Sequence, residues 1–193
     1  VPFSDPIADG PVIQAASERA LAAGTNLHLV IEIAEQIRRH SEIPLLLFSY
    51  LNPVLRYGAE ALAHDASKAG VDGVLLTDLS VEEADTLVPV MRKAGLDTVF
   101  LASPTSPPRR LALVAQHSSG FVYLVSRTGV TGERQSLSDS IATLVANLRE
   151  ITALPLAVGF GISTPEQAAK VGSLADGVVV GSAFVRLIER HGS

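Results

Sequence analysis

Six short apolar runs recur along the chain, at 44–50, 73–77, 98–102, 121–125, 156–160 and 177–180, with stretches of helical character between them. This alternation is the pattern of βαβ units that carry a parallel sheet. The runs are nearly continuous in apolar side chains, which predicts burial on both faces. Amphipathic stretches lie at 27–40, 60–69, 81–94, 109–116 and 137–150, and turn signals such as Ala69-Gly70 and Ala94-Gly95 close them. No linker or low-complexity tract interrupts the series, so 1–193 reads as one domain. The start at Val1, with no Met, reads as the tail of a further strand whose beginning lies upstream. An eight-stranded parallel β/α barrel without its first βα unit, most of strand 2 and its final helix fits that count, because such barrels run to about 250 residues. A doubly wound open sheet is the rival, although Gly159-Phe160-Gly161 lacks the third glycine of a nucleotide fingerprint.

Composition narrows the chemistry. Fifteen Lys+Arg stand against 20 Asp+Glu, a formal charge of −5, and no basic run supplies the footprint that nucleic acid requires. The absence of cysteine excludes disulfides, thiolate catalysis and Cys-ligated metals. No apolar run approaches the roughly 20 residues that span a bilayer, and no signal-type segment opens the chain, which reads as cytoplasmic. The histidines at 28, 40, 64, 117 and 191 show no metal-binding spacing and read as surface residues, so no metal site is expected. No serine stands in a nucleophile elbow.

In a barrel, function collects in the loops that follow the strands. Gly159-Phe160-Gly161-Ile162-Ser163 leads to Thr164, a candidate N-cap, with Pro165 at N1 and Gln167 placed to close a capping box. One strand later Val180-Gly181-Ser182-Ala183 opens another helix. Two helix N-termini with exposed N–H groups predict a phosphate site, although each glycine alone is also what a tight turn requires. Asp5 and Asp9 stand on the loop after the first strand tail, where Asp9-Gly10 is either a turn or a catalytic carboxylate. Tyr123 and Arg127 flank the end of the 121–125 run, and Asp78 is placed to cap a helix starting near Val81.

Val1-Pro2-Phe3-Ser4-Asp5-Pro6-Ile7-Ala8-Asp9-Gly10-Pro11, Tyr50-Leu51-Asn52-Pro53-Val54, Ser126-Arg127-Thr128-Gly129-Val130-Thr131-Gly132 and Gly159-Phe160-Gly161-Ile162-Ser163 together resemble the tryptophan synthase alpha subunit family, in order and over the whole chain. The resemblance implies a TIM barrel and a lyase that performs retro-aldol cleavage of indole-3-glycerol phosphate to indole and glyceraldehyde 3-phosphate, without a cofactor. It implies that Asp9 accepts the indole N–H and stabilises the positive charge that grows as C3 is protonated. Phe160, Gly161, Gly132, Gly181 and Ser182 match phosphate-binding positions, and Tyr123 matches a tyrosine beside the substrate. Thr131 matches the threonine of a loop that closes over the site and bonds the aspartate; by its own composition, with Gly129, Gly132 and few large apolar anchors, 127–138 is expected to be poorly ordered without ligand. Pro2, Phe3, Asp5 and Asn52 match positions that face a pyridoxal-phosphate beta subunit in an α2β2 complex.

The family's proton-shuttling glutamate stands three residues before the Val-Pro-Phe-Ser-Asp motif, hence ahead of Val1. The stretch from Val1 onward is therefore expected to be inactive by itself. Thr77-Asp78-Leu79-Ser80 also departs from the family's Pro-Asp-Leu-Pro. Two alternatives are a non-catalytic partner that activates a beta subunit and another phosphate-binding barrel enzyme.

Overall fold

The computed structural model describes residues 1–125, 134–159 and 161–192, with the backbone alone for 134–138. The chain divides into two compact units, Val1–Val99 and Phe100–Ser193. The first contains α1 (Pro11–Ala22), α2 (Leu27–Arg38), β1 (Leu46–Ser49), α3 (Leu51–Tyr57), α4 (Ala59–Lys68), β2 (Gly73–Leu76), a 3-10 segment at Val81–Thr86, α5 (Val88–Lys93) and β3 (Asp97–Val99). Its strands pair in parallel in the order β1-β2-β3, with Leu47 opposite Val74 and Val74 opposite Thr98. The second contains β4 (Leu101–Ala102), α6 (Pro108–His117), β5 (Val122–Val125), α7 (Arg134–Arg149), β6 (Leu156–Gly159), α8 (Pro165–Gly172), β7 (Gly177–Val179) and α9 (Ser182–His191). These strands are likewise parallel, in the order β4-β5-β6-β7. Parallel neighbours need crossover connections, and the helices between the strands supply them.

Every expected run contains a strand, but several details differ. The run at 98–102 is divided at Phe100: Val99 pairs with β2, whereas Leu101 pairs with Tyr123 of β5. Residues 1–3 form no strand; the Val1 nitrogen makes a single 2.8 Å bond to the Phe48 carbonyl. Burial on both faces holds for β2 but not for β1, where Leu47 is 7% exposed and Phe48 43%. Successive side chains of a strand point to opposite faces, and only one face of β1 is covered. The single helix expected over 81–94 is broken, because Pro89 offers no N–H to the carbonyl four residues back and its ring crowds that carbonyl. α1 and α3 carry no helical signal in the reading above: α1 buries only Ser17, and α3 has seven residues with Pro53 in its first turn. His117 is not on the surface; it is buried with its ring edge-on to Phe100 at 6.2 Å.

Each unit is built around a buried apolar core. Leu62, Met91, Val54 and Leu96 fill the first, and Val122, Leu124, Leu148, Leu156 and Val158 the second.

Both units also repeat one polar latch. Arg38 ends α2 and Arg149 ends α7. Each donates Nη1 to the carbonyl five residues on, Ile43 at 3.0 Å and Leu154 at 3.4 Å. Each Nη2 meets a carboxylate, that of Asp72 at 2.7 Å or that of Asp176. The same carboxylate oxygen accepts the N–H seven residues past the arginine, from Leu45 at 2.6 Å or Leu156 at 2.7 Å. Asp-Gly-Val then opens the next strand in both copies. Arg38 adds two bonds to the Gly70 carbonyl, at 3.0 and 2.7 Å. Gly70 has φ +81°, and a Cβ there would fall 2.7 Å from Arg38 Cγ, so the latch needs glycine for both backbone conformation and space.

Candidate active site

Asp9 is half-buried and stands one residue before Gly10, the N-cap of α1. Its carbonyl accepts Gln14 Nε2 at 2.9 Å, while the Gln14 N–H closes the first turn on the Gly10 carbonyl at 3.0 Å. The helix thus holds the Asp9 peptide from one side. From the other comes Tyr50, which follows β1 directly and is 4% exposed. Its hydroxyl oxygen accepts the Ala8 N–H at 3.0 Å. Burial pushes the Tyr50 phenol above its ordinary pKa; the Ala8 bond opposes this and the Asp9 charge adds to it.

Asp78 lies at the end of β2, but it does not cap a helix at Val81. Its Oδ1 accepts the Leu51 N–H at 2.7 Å and so caps α3 across the sheet. Of the residues expected to face a partner, Asp5 and Asn52 are exposed, whereas Pro2 and Phe3 are half-buried. The Phe3 ring packs on Tyr50 with centroids 5.1 Å apart, and Ser4 Oγ donates to Asp5 at 2.5 Å.

The second unit carries the glycine loops. Gly159 pairs with Val179, so Gly161 and Gly181 each lie two residues past one rung of the β6/β7 ladder. Gly161 has φ +76°, a conformation that favours glycine. Thr164 closes the expected capping box: its hydroxyl accepts the Gln167 N–H at 3.3 Å, and Gln167 Oε1 accepts the N–H groups of Thr164 at 3.2 Å and Ser163 at 2.8 Å. The entrance to α8 is therefore largely satisfied by its own residues. That of α9 differs, for Gly181 is its N-cap and makes no side-chain cap among the described residues. A Cβ at Gly181 would meet nothing within 4 Å, so internal packing does not explain the glycine. Of the two expected helix N-termini, that of α8 carries a capping box and that of α9 has no side-chain cap among the described residues.

Tyr123 lies mid-strand in β5, opposite Ala157, and is 7% exposed. Burial raises its phenol pKa, which keeps the hydroxyl protonated at neutral pH. A Cβ on Gly159 would lie 2.2 Å from its hydroxyl oxygen, so the phenol occupies the space that glycine leaves. Thr131, Gly132 and Phe160, together with the loop at 127–133 and the side chains of 134–138, lie outside the described residues. The bond between Tyr50 and the Ala8 N–H beside Asp9 was missed by sequence reasoning, although a tyrosine closing a strand run, at the end where barrel function collects, was an available signal.

Comparison with known proteins places this arrangement. The family model for the tryptophan synthase alpha chain matches residues 1–193. The alpha chain of Solibacter usitatus is 68% identical over 191 residues, covering 99% of this chain and 72% of that protein. That of Geobacter sulfurreducens is 54% identical over 190 residues, covering 98% and 72%. Among solved structures, the alpha subunit from Legionella pneumophila aligns with a TM-score of 0.89 at 41% identity, covering 98% of this chain and 70% of that one. A chain of the α2β2 complex from Pyrococcus furiosus aligns with a TM-score of 0.89 at 42% identity, covering 99% and 77%. The fold class is accordingly the α/β TIM barrel, and the open doubly wound sheet is set aside. With its full length matched by the family model, the chain belongs to the tryptophan synthase alpha chain family.

Proposed function

We propose that Asp9 acts at the indole in the lyase reaction of this family and that the α9 entrance binds phosphate. The protein is a tryptophan-biosynthetic lyase that cleaves indole-3-glycerol phosphate to indole and glyceraldehyde 3-phosphate. In the cleavage, indole C3 gains a proton, the bond from C3 to the glycerol carbon breaks, and the glycerol hydroxyl loses its proton as the aldehyde forms. Protonation at C3 places positive charge on the ring nitrogen. A fixed carboxylate at the N–H stabilises that charge more than the neutral substrate, which lowers the barrier. Asp9 has this role. The phosphate rests on the N–H groups of Gly181 and Ser182 beside Gly161, with Gly132 and Phe160 completing the set. Tyr123 borders the substrate, and Thr131 closes over it. That the family model matches the chain in one piece supports reading 1–193 as a single domain.

The partner is a tryptophan synthase beta subunit, as in the α2β2 complex solved from Pyrococcus furiosus. We assign Pro2, Phe3, Asp5 and Asn52 to the surface that meets it, an assignment supported by the exposure of Asp5 and Asn52. Among the described residues no helix is long and apolar enough to cross a membrane, and we place the protein in the cytoplasm.

The observation that carries this reading is the match of the whole chain to the family, with the Asp9 backbone held by Gln14. The test is Asp9→Asn in the full-length enzyme. Turnover of indole-3-glycerol phosphate is expected to fall on the order of a hundredfold or more, the scale of one lost electrostatic contact in a transition state. Binding of inorganic phosphate should stay unchanged. Equal turnover with Asn would make Asp9 a turn residue.

A further inference from the structure

We propose that Asp78 is a positioning residue for partner binding: from just beyond the end of β2 its carboxylate holds α3 so that Asn52, Leu55 and Arg56 face the beta subunit; this rests on the assignment of Asn52 to that surface given above. α3 is too short to stand alone. Isolated helices below about 12–15 residues are marginal in water, and this one has seven. Its N-cap, Tyr50, supplies no side-chain cap, and Pro53 in the first turn has no N–H to offer. Asp78 supplies an acceptor from outside the helix: its Oδ1 receives the Leu51 N–H at 2.7 Å. A carboxylate there also meets the positive end of the helix dipole. The sheet sets its place, for Leu76 pairs with Ser49 and the Thr77 N–H continues that ladder to the Ser49 carbonyl at 3.1 Å, which brings Asp78 beside Leu51.

The other end of α3 is held as well. The Tyr57 hydroxyl donates to Asp65 of α4 at 2.6 Å, and its ring lies against His28 of α2 with centroids 4.2 Å apart. Between the two ends Val54 is buried in the core. Helical spacing then puts Asn52, Leu55 and Arg56, at i, i+3 and i+4, on one outer stripe. All three are exposed, Leu55 by 62%. One exposed leucine is ordinary on a protein surface; this one shares its stripe with the asparagine assigned to the partner and with an arginine, a residue type enriched at interfaces. The stripe suits a patch of the beta subunit that receives an apolar side chain between hydrogen-bond acceptors. Fixing both ends of so short a helix presents the stripe in one orientation, and such preorganisation raises affinity by cutting the ordering cost of binding.

The test measures the Kd of the full-length alpha chain for the tryptophan synthase beta subunit, with thermal unfolding and the Kd of inorganic phosphate recorded alongside. Leu55→Ser and Asp78→Ala are each expected to raise the beta-subunit Kd on the order of tenfold, while phosphate binding changes by less than about twofold. Asp78→Asn keeps an acceptor oxygen for the Leu51 N–H and should bind within about threefold of wild type. In the Leu55→Ser background Asp78→Ala should cost less than it does alone, because a side chain it positions is gone. A wild-type Kd in Asp78→Ala overturns the proposal. So does an Asp78→Asn that binds as weakly as Asp78→Ala, which would mark a direct charge contact with the partner. If Asn52→Ala and Leu55→Ser both bind at wild-type strength, it is the reading of the partner surface that fails. Should Asp78→Ala unfold early, Arg38→Ala, which breaks the latch of the same unit, serves as the reference for lost stability. An equal rise in Kd there overturns the proposal, and a wild-type Kd there beside a raised one in Asp78→Ala supports it.

Discussion

Gly159 shows how one absent side chain shapes the second unit. The Tyr123 ring is buried and its hydroxyl oxygen would lie 2.2 Å from a Cβ at position 159, with ring carbons at 2.7 Å. A rigid ring in a packed interior cannot yield to that contact by turning one torsion, so the strand or the tyrosine must move. Gly159→Ala is expected to cost about 1–3 kcal/mol in stability, the range for overpacking a core. It should also raise KM for the phosphate ester, given the proposed place of Tyr123 beside the substrate. Denaturant unfolding and steady-state kinetics check both; unchanged stability together with unchanged KM would show that the ring has room elsewhere. Gly181 is the opposite case, since a side chain there meets open space. The described neighbours of Gly181 give no packing reason for glycine there.

At the scale of elements, the paired arginine latches tie a helix end to the start of one strand and to the residue that opens the next. The first is the stronger. Arg38 makes five hydrogen bonds and its side chain is 22% exposed, whereas Arg149 makes two and is 40% exposed. Arg38→Ala leaves the Gly70, Ser41 and Ile43 carbonyls without that partner, and a cost of about 1–3 kcal/mol is expected. Arg149→Ala should cost less, since exposed ion pairs contribute little. Comparing the two variants by urea unfolding tests the ranking, and an Arg149 variant less stable than the Arg38 one would reverse it. The latch escaped the reading of the sequence because Arg38 and Asp72 are 34 residues apart and Arg149 and Asp176 are 27 apart. The matching Pro44-Leu45 and Pro155-Leu156 were in view, but only the hydrogen bonds show what they share. The capping box of α8 was legible because all its partners lie within four residues.

For the whole molecule, two groups set opposite limits on stability against pH. The Tyr57 hydroxyl donates to Asp65 at 2.6 Å, and its pKa is pushed up to about 12, first by burial and then by the Asp65 contact. The folded state thus holds this proton more tightly than the unfolded chain, whose tyrosines titrate near 10.0. The contribution of Tyr57 is complete below that value and is lost as pH rises towards about 12. Asp176 is shifted the other way, held below 3.8 first by the Leu156 N–H and then by Arg149. Its contribution is present above that value and is lost as pH falls through its folded pKa. Unfolding free energies measured across pH should therefore fall less steeply at alkaline pH in Tyr57→Phe, and less steeply at acid pH in Asp176→Asn, than in wild type; parallel curves would remove both assignments. By itself the sequence determined the fold class, the order of the strands, the glycine loops and the family, because periodicity, local caps and contiguous motifs are properties of neighbouring residues. Tertiary structure decided the rest: the division of the run at 98–102 between two strands, the single covered face of β1, the helix entrance left uncapped, and the contact between Tyr50 and the segment that carries Asp9. Ala8 and Tyr50 are 42 residues apart, and a hydrogen bond between them exists only after β1 and the loop before α1 have been brought side by side.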